Sequence, residues 1–162
     1  MSPVIIKAGD PLQEAARNLI RSVYRKRYDA VVRDFPELMI ALLDEAGAPV
    51  CVAGLRLGLV DCFSEVYVDE PLERMLSRTL RKPVTRGEIL EVTGLVSTRA
   101  GASFPLLQKI VEYGRARGMR WGVFTATGRL RRLIRTTRLP MIELAPATRE
   151  RVANPEDWGS YY

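Results

Sequence analysis

Residues 89–104 predict more of the architecture than any other segment, and they read Ile89-Leu90-Glu91-Val92-Thr93-Gly94-Leu95-Val96-Ser97, then Thr98-Arg99-Ala100-Gly101-Ala102-Ser103-Phe104. The first nine are mostly apolar and rich in β-branched residues, which indicates a strand. The next six are small or polar and indicate a loop. Phe104–Arg117 then repeats apolar residues at helical spacing, and Gly118 after it is a frequent helix terminator. The segment therefore predicts a strand, a loop and a helix.

The chain after this helix predicts a second crossover of the same kind. Arg120–Thr127 reads as a strand, Gly128–Thr137 as a short basic helix and Leu139–Leu144 as a final strand. A strand–helix–strand crossover places its two strands side by side and parallel in one sheet. We therefore expect Ile89–Ser97 and Arg120–Thr127 to be neighbours.

The first half of the chain predicts helices and a β-hairpin. Asp10 before Pro11 is a helix-start signal, so a helix is expected over Pro11–Tyr28. Leu38–Asp44 and Val50–Val60 flank a turn and predict an antiparallel pair. Pro71–Leu80 reads as a helix, and Phe63–Val68 as either a strand end or a loop. The whole chain, residues 1–162, is thus expected to be a single α/β domain, a mixed central sheet with helices on both faces.

Composition excludes several classes of chemistry. The sequence has no histidine, which removes histidine-based triads and histidine-ligated metal sites, and we predict no metal site. Cys51 and Cys62 lie in apolar segments and are expected to be free thiols in a reducing compartment. Met1–Asp10 has no secretion-signal pattern, and no apolar run approaches the ~20 residues of a membrane span. We therefore expect a cytoplasmic protein without membrane insertion.

The loop Thr98–Ser103 is a candidate anion site. Small residues let a ligand approach the backbone, and the N–H groups that open the following helix point outward with the positive end of the helix dipole behind them. Phosphate or pyrophosphate would suit that position. The alternative is structural: Ser103 caps the helix and Gly101 only turns the chain. The sequence alone leaves both interpretations open.

A basic cluster follows the second predicted strand, in a chain whose formal net charge is +6. One interpretation is an ordinary solvated helix face. The other is that one or two of these residues contact a cofactor phosphate or an acidic carrier protein. The members are Arg129, Arg131, Arg132, Arg135 and Arg138.

Glu91 stands out because a carboxylate inside an apolar strand is costly to bury unless it is paired. It is the best candidate for a general base, and a structural salt bridge to an arginine is an equally open alternative. Tyr67 and Thr93 could supply hydroxyl groups nearby, although a tyrosine in an apolar segment is often a core residue.

Six stretches of the chain carry a family resemblance, and they are Ala53-Gly54-Leu55-Arg56, Glu65-Val66-Tyr67-Val68-Asp69-Glu70-Pro71, Ile89–Leu95, Gly101-Ala102-Ser103, Trp121–Thr127 and Trp158-Gly159-Ser160-Tyr161-Tyr162. Together they resemble one family, the thermostable hemolysins, within the GNAT-like acyltransferase superfamily. A more distant resemblance is to acyl-homoserine-lactone synthases, which share an arginine-rich first helix, a Gly-x-Arg strand and a central-strand glutamate.

This resemblance implies a donor site for acyl-CoA, or for the acyl-pantetheine arm of an acyl carrier protein, where two central strands splay apart. The backbone around Leu95, Val96 and Ser97 would polarise the thioester carbonyl, and the following loop would hold the pyrophosphate. The glycine of that loop stands one place earlier than in the usual superfamily pattern, which leaves two alternatives to CoA open: a carrier protein as the donor, or no donor. The residues implied to bind the donor are Leu95, Val96, Ser97, Arg99, Ala100, Gly101, Ala102, Ser103, Thr127 and Arg129.

Three functions follow as hypotheses. The first is an acyltransferase acting on an amine-type small-molecule acceptor, with Glu91 taking the proton, through water if not directly, and Tyr67 and Thr93 assisting. The second is a non-catalytic binding module that uses its basic face for nucleic acid or an acidic protein, of which nucleic acid is the less expected. The third is a lytic protein, which the lack of a membrane-inserting element argues against. Oligomeric state is not readable from the chain.

Overall fold

A computed structural model describes residues 1–137 and 139–162. Its sheet has five strands in the order β1-β2-β3-β4-β5, with β5 parallel to β4 and the other neighbours antiparallel. The predicted mixed sheet is therefore confirmed. The strands are β1 (Ser2–Ile6), β2 (Leu38–Leu43), β3 (Pro49–Leu57), β4 (Ile89–Ser97) and β5 (Trp121–Val123).

Helices cover both faces of this sheet, as expected from the sequence. The described residues form α1 (Gln13–Tyr28), α2 (Leu72–Leu80), α3 (Ser103–Arg115) and α4 (Gly128–Thr136). On one face, Ile20 of α1 packs into a cluster with Met39 and Val52. On the other, Leu106 of α3 packs with Ile40 and Leu55. None of the helices in these residues is both long and apolar enough to span a bilayer.

Several predicted boundaries are wrong. The helix α1 begins at Gln13 rather than Pro11, and it is preceded by a turn in which Oδ1 of Asp10 accepts the N–H of Leu12 at 2.8 Å. The strand β1 was not predicted. For Phe63–Val68 the sequence left a strand end or a loop open, and the structure has no strand there but a 3-10 turn, Phe63–Tyr67.

The last two predicted strands differ most from the structure. β5 ends at Val123 instead of Thr127, and Leu139–Leu144 forms no strand. The sequence pattern of both stretches is strand-like, but the extra residues find no hydrogen-bonding partner in the described sheet. Arg138, the last member of the basic cluster, lies outside the described residues.

A β-bulge between β3 and β4 and the shortness of β5 together interrupt the pairing of β4. Val52 of β3 faces Val96 and Gly54 faces Thr93, so that Ala53 lies opposite two residues of β4. One of these, Gly94, has φ 58°, the left-handed conformation that glycine adopts without strain. On the other side, β5 pairs only with Ile89–Glu91. Beyond Glu91 the strand β4 therefore has no partner on its β5 side among the residues described.

Candidate functional site

A cleft of about 1920 Å³ begins where β4 and the chain after β5 separate. Its walls include the second part of β4, the stretch Phe124–Thr127 that continues from β5, and the start of α3, and the same cleft extends past α1, α4 and the chain after α4. The predicted splay between the two central strands is thus present, and it is not filled by side chains. An extended substituent, such as a pantetheine arm, can enter such a gap between strands.

The start of α3 offers hydrogen-bond donors to this cleft. Gly101 turns the chain with φ 79°, and within the described residues the N–H groups of Gly101, Ser103 and Phe104 have no acceptor. The N–H of Ala102 bonds to the carbonyl of Arg99 at 3.3 Å. Unpaired amides at the positive end of a helix attract anions.

The loop that carries these amides is fixed to β3 and β4. Ser97 donates its hydroxyl to the carbonyl of Arg99 at 2.7 Å and accepts the N–H of Arg99 at 3.2 Å. The N–H of Thr98 bonds to the carbonyl of Val50 at 3.0 Å. Ser103 caps nothing: the N-cap is Ala102 and no side chain accepts a bond there. The structural alternative for Ser103 is therefore not what this helix shows.

The residues implied to bind a donor divide into two groups. One group borders the cleft, and the other does not. Those bordering the cleft are Leu95, Val96, Ser97, Gly101, Ser103, Thr127 and Arg129, together with the proposed hydroxyl carriers Tyr67 and Thr93. Among the described residues that lie elsewhere are Arg99, Ala100, Ala102 and Glu91.

Ala102 lies elsewhere because its side chain is fully buried in the core under α3. Arg99 and Ala100 are exposed. Thr127 has a structural role as well, since its Oγ1 accepts the N–H of Leu130 at 3.4 Å and so caps α4. Arg129 lies exposed on that helix.

Glu91 is completely buried, and both of its carboxylate oxygens are occupied. Oε1 accepts the N–H and the hydroxyl of Ser64 at 2.6 and 2.7 Å. Oε2 accepts the N–H of Phe63 at 3.0 Å and a guanidinium N–H of Arg56 at 3.2 Å. The structure thus shows the arginine salt bridge that the sequence left as the alternative. The role of Glu91 as general base remains a prediction, and four donors to one carboxylate do not favour it.

Tyr67 links three parts of the chain at the mouth of the cleft. Its hydroxyl is hydrogen-bonded to the hydroxyl of Tyr162, and Thr125 in the stretch after β5 also contacts it. Burial, followed by the bond to Tyr162, raises the pKa of Tyr67 above its ordinary value. A phenol in this state keeps its proton at neutral pH, so it can donate a hydrogen bond but cannot act as a base.

The two cysteines are free thiols, as the sequence predicted. Burial is the first cause that raises the pKa of Cys62 to about 12, and the charge of Glu91 is the second. Burial also raises the pKa of Cys51, beside which lie the hydroxyl groups of Ser97 and Ser103. Neither thiol is activated as a nucleophile. The described residues contain no cluster of three or more His, Cys, Asp or Glu placed to hold a metal ion.

Sequence reasoning missed the C-terminal tail as part of this region. Tyr161 stacks on Tyr24 with ring centroids 5.5 Å apart, and Trp158 packs beside Phe63 at 5.5 Å. Asp157 accepts two bonds from Arg33, both at 3.1 Å. The aromatic motif Trp158-Gly159-Ser160-Tyr161-Tyr162 contributed to the family resemblance, but nothing in the sequence indicated which residues it packs against. Of the residues that contact Glu91, Arg56 was indicated only by the Gly-x-Arg motif of its strand, and Ser64 was indicated by no sequence pattern.

The basic cluster is exposed on α4. Arg131 pairs with Glu143 at 3.1 Å, a surface ion pair of small energetic value. Within the described part of the chain the other members form no ion pair, and they are Arg129, Arg132 and Arg135.

Comparison with known proteins finds one matching family and several solved structures of similar fold. A family model described as thermostable hemolysin matches residues 6–162. No curated protein matches the chain. Among solved structures, TofI in a ternary complex with an inhibitor and MTA is similar with a TM-score of 0.58 and 18% identity, covering 90% of this chain and 83% of that one.

Two acetyltransferase structures are similar at the same level. A GCN5-related N-acetyltransferase from Ralstonia eutropha JMP134 has a TM-score of 0.54 and 14% identity, with 91% of this chain and 97% of that chain covered. The aminoglycoside N-acetyltransferase AAC(6')-Iy in complex with CoA has a TM-score of 0.50 and 12% identity, with 91% and 96% covered. At these identities the likeness shows the fold, so the GNAT-like architecture expected from the motifs is confirmed.

Proposed function

This chain belongs to the thermostable hemolysin family, and on that premise we propose that it is an N-acyltransferase. The acyl group would come from an acyl-CoA or acyl carrier protein thioester and pass to an amine-type small molecule. The observation that carries the proposal is the open splay beside β4, with unpaired N–H groups of Gly101, Ser103 and Phe104 at its edge. The solved CoA complex of a protein with this fold supports a CoA thioester as donor.

In this proposal the donor lies along the splay. Its phosphates accept hydrogen bonds from the amides that open α3, and its thioester carbonyl lies beside the bulged segment Leu95–Ser97. A backbone N–H of that segment polarises the carbonyl as negative charge develops on its oxygen. The acceptor nitrogen attacks the carbonyl carbon, the carbon–sulfur bond breaks, and the thiolate leaves with the electron pair. The attacking nitrogen must then lose one proton.

Glu91 does not border the cleft, so its contribution in this proposal is positioning. It holds Arg56 and the turn at Ser64, and Arg56 does border the cleft. Thr93 and Tyr67 also border it and are better placed to contact the reacting groups. The proton then passes to water in the cleft. A base role for Glu91 would require it to release at least one of its four donors.

The donor-binding part of the proposal has a matched pair of variants. Gly101 has φ 79° and Gly118 has φ 77°, and an added Cβ meets nothing within 4 Å at either position. A side chain at either glycine therefore costs about 1–2 kcal/mol of backbone strain. Only Gly101 borders the cleft. Gly101→Glu places a carboxylate beside the proposed phosphate site, and Gly118→Glu applies the same strain at the far end of α3.

We expect acetyl-CoA and longer acyl-CoAs to raise the melting temperature of the wild type in a concentration-dependent way. Gly101→Glu should abolish that shift, and Gly118→Glu should retain it. Native mass spectrometry counts the bound donor, and mass spectrometry of an amine panel detects acylated products. Equal donor affinity in the two variants would remove the loop from the site.

The exposed arginines of α4 support a second candidate function, a binding module for an acidic partner. The same face would suit an acidic acyl carrier protein delivering the donor. Binding of nucleic acid with a steep dependence on salt, without any response to acyl-CoA, would favour the binding module over the enzyme.

A further inference from the structure

Arg56 of β3 is a half-buried cation whose orientation is fixed from one side. Its Nη1 donates to Oε2 of Glu91 at 3.2 Å, and that carboxylate is completely buried. The side chain of Arg56 is only 13% exposed, so this bond leaves it little freedom to turn. A guanidinium carries five N–H groups in a planar fork, and Glu91 accepts from one of them. The other N–H groups remain for a second partner.

The opposite side of this guanidinium is open to the cleft. Arg56 borders the cleft, and its Nε–H has no acceptor within the described residues although it is not sealed from solvent. Its Nη2 donates to Oδ2 of Asp34 at 3.4 Å, and the side chain of Asp34 is 90% exposed. An exposed ion pair contributes little to stability. Asp34 is therefore a carboxylate that a ligand with a carboxylate of its own can replace at small cost.

This side of Arg56 lies near the point where β4 loses its β5 neighbour. Arg56 is paired with Glu91 in the sheet register, and Glu91 is the last residue of β4 that pairs with β5. Thr93 lies two residues further along the same face of β4, about 7 Å away. It borders the cleft, and its hydroxyl has no hydrogen bond to another described residue. Arg56 and Thr93 thus flank the start of the splay, whereas the thioester carbonyl is proposed beside Leu95–Ser97.

We propose that the acceptor carries a carboxylate as well as its amine, and that Arg56 binds this carboxylate in place of Asp34. The inference rests on the proposed acyltransferase function, in which the acceptor is otherwise defined only as an amine. An arginine bound to a carboxylate through two parallel N–H groups fixes the orientation of the ligand as well as its position. The amine of such an acceptor would extend along β4 toward the thioester. Glu91 would act on the acceptor only through Arg56, as a positioning residue.

A panel of matched acceptors tests for this carboxylate. The amino acids glycine, β-alanine, 4-aminobutanoate and 6-aminohexanoate differ in the spacing between amine and carboxylate, and each is compared with the n-alkylamine that lacks only its carboxylate. Because hydrogen bonds to charged groups are the stronger ones, the best amino acid should be acylated with a kcat/KM at least about tenfold above that of its alkylamine. Mass spectrometry measures the product, with acetyl-CoA and longer acyl-CoAs as donors. Saturation-transfer NMR without donor measures acceptor binding on its own.

Two carboxylates of nearly equal exposure provide a matched pair of variants. Asp34→Asn removes the competitor for Arg56, and we expect it to lower the KM of the best amino acid by about two- to fivefold without changing that of the alkylamine. Asp69→Asn should change neither, because Asp69 is 91% exposed and pairs with Arg151 at 2.8 Å away from the cleft. Arg56→Lys keeps a positive partner for Glu91 but loses the planar fork, so it should reduce the preference for the amino acid to about threefold or less. Urea unfolding checks that the variants are folded.

The outcomes separate this inference from the function on which it rests. If alkylamines are acylated as efficiently as amino acids, or if the KM does not fall in Asp34→Asn, the carboxylate site is overturned and the acyltransferase proposal stands. If a donor binds but no member of the panel is acylated or bound, the inference is likewise overturned. If an amino acid binds in the NMR experiment and Arg56→Lys weakens that binding, while neither CoA nor any acyl-CoA binds, the carboxylate site stands and the acyltransferase proposal is overturned.

Discussion

The two halves of β4 belong to one continuous strand but have opposite surroundings. We call Ile89–Glu91 the closed half and Thr93–Ser97 the open half. The closed half pairs with β3 on one side and β5 on the other, and Ile89 and Glu91 are fully buried. The open half pairs with β3 alone, and its first three residues are only half-buried. One strand thus contributes to the core at one end and borders the cleft at the other.

The sequence pattern predicts a single strand over Ile89–Ser97 and does not indicate where that strand loses a neighbour. The cleft arises because β5 is three residues long and because Gly94 takes a bulged, left-handed conformation. Backbone pairing, rather than side-chain character, therefore separates the structural part of the strand from the part available to a ligand.

The largest expected effect is on the closed half, from Glu91→Ala. Removing the carboxylate leaves the donors of Phe63 and Ser64 without their acceptor and leaves the half-buried guanidinium of Arg56 with the exposed Asp34 as its partner. Breaking one partner out of a buried ion pair costs about 3–5 kcal/mol. Urea unfolding of the wild type and the variant measures the loss. A cost below about 1 kcal/mol would show that water replaces the carboxylate easily.

Glu91→Gln separates the positioning role from catalysis in the same half. The amide keeps the shape of the side chain, so the variant protein should bind the donor with the affinity of the wild type. If Glu91 only positions Arg56, turnover should fall together with stability, and its dependence on pH should keep the wild-type form. A lost limb in the pH–rate profile, with normal stability and donor binding, would assign the proton transfer to Glu91.

A smaller effect is expected in the open half, from Gly94→Ala. The positive φ makes any side chain strained, and the new Cβ would lie 3.3 Å from Ile20 Cδ1 on α1. We expect about 1–2 kcal/mol of destabilisation and a loss of donor affinity as the bulge shifts. Gly47→Ala is the control, because it has φ 81°, open space around the Cβ and a place in the β2–β3 turn. If both variants keep donor affinity, the bulge does not shape the cleft.

The smallest effect is expected on stability at acid pH, and it concerns the turn Phe63–Tyr67, which donates hydrogen bonds to Glu91 of the closed half. Hydrogen bonds from Arg86, at 2.7 Å to each oxygen, are the first cause that lowers the pKa of Glu65 below its ordinary 4.5. A lowered folded pKa means that this bond stabilises the protein above pH 4.5 and that the stabilisation is lost as the pH falls through the folded value.

Glu65→Gln should therefore lower stability at pH 7 more than at pH 3, which flattens the acid limb of stability against pH. Urea midpoints between pH 3 and pH 7 measure this. Glu150→Gln, at an exposed glutamate with no hydrogen bond among the described residues, is the control. An unchanged acid limb in Glu65→Gln would mean that Arg86 stabilises the turn through Glu73 alone.

Local signals predicted the central part of this fold. The strand β4 was predicted with its observed bounds, and α3 and α4 begin within one residue of their predicted starts. These segments combine a clear period with a glycine or small residues at an end, so the chain itself specifies their limits. The run of small residues between β4 and α3 likewise predicted the loop of Gly101.

The errors have a common cause, which is that pairing partners are distant in sequence. β1 is five residues long and forms only through its register with β2, from Ser2 beside Leu43 to Ile6 beside Met39. Leu139–Leu144 has a strand-like composition but no partner in the described sheet. The surroundings of Glu91 depend on a turn 27 residues away, at Ser64, which no local pattern indicates.

The raised pKa of both thiols has a practical consequence for an assay of the proposed activity. A pKa raised to about 12, as at Cys62, keeps the thiol protonated at pH 7, and only the thiolate reacts with disulfide reagents. Cys51 is shielded in the same way. A colorimetric assay for released coenzyme thiol, used to test the proposed acyl transfer, should thus show almost no background from the protein itself.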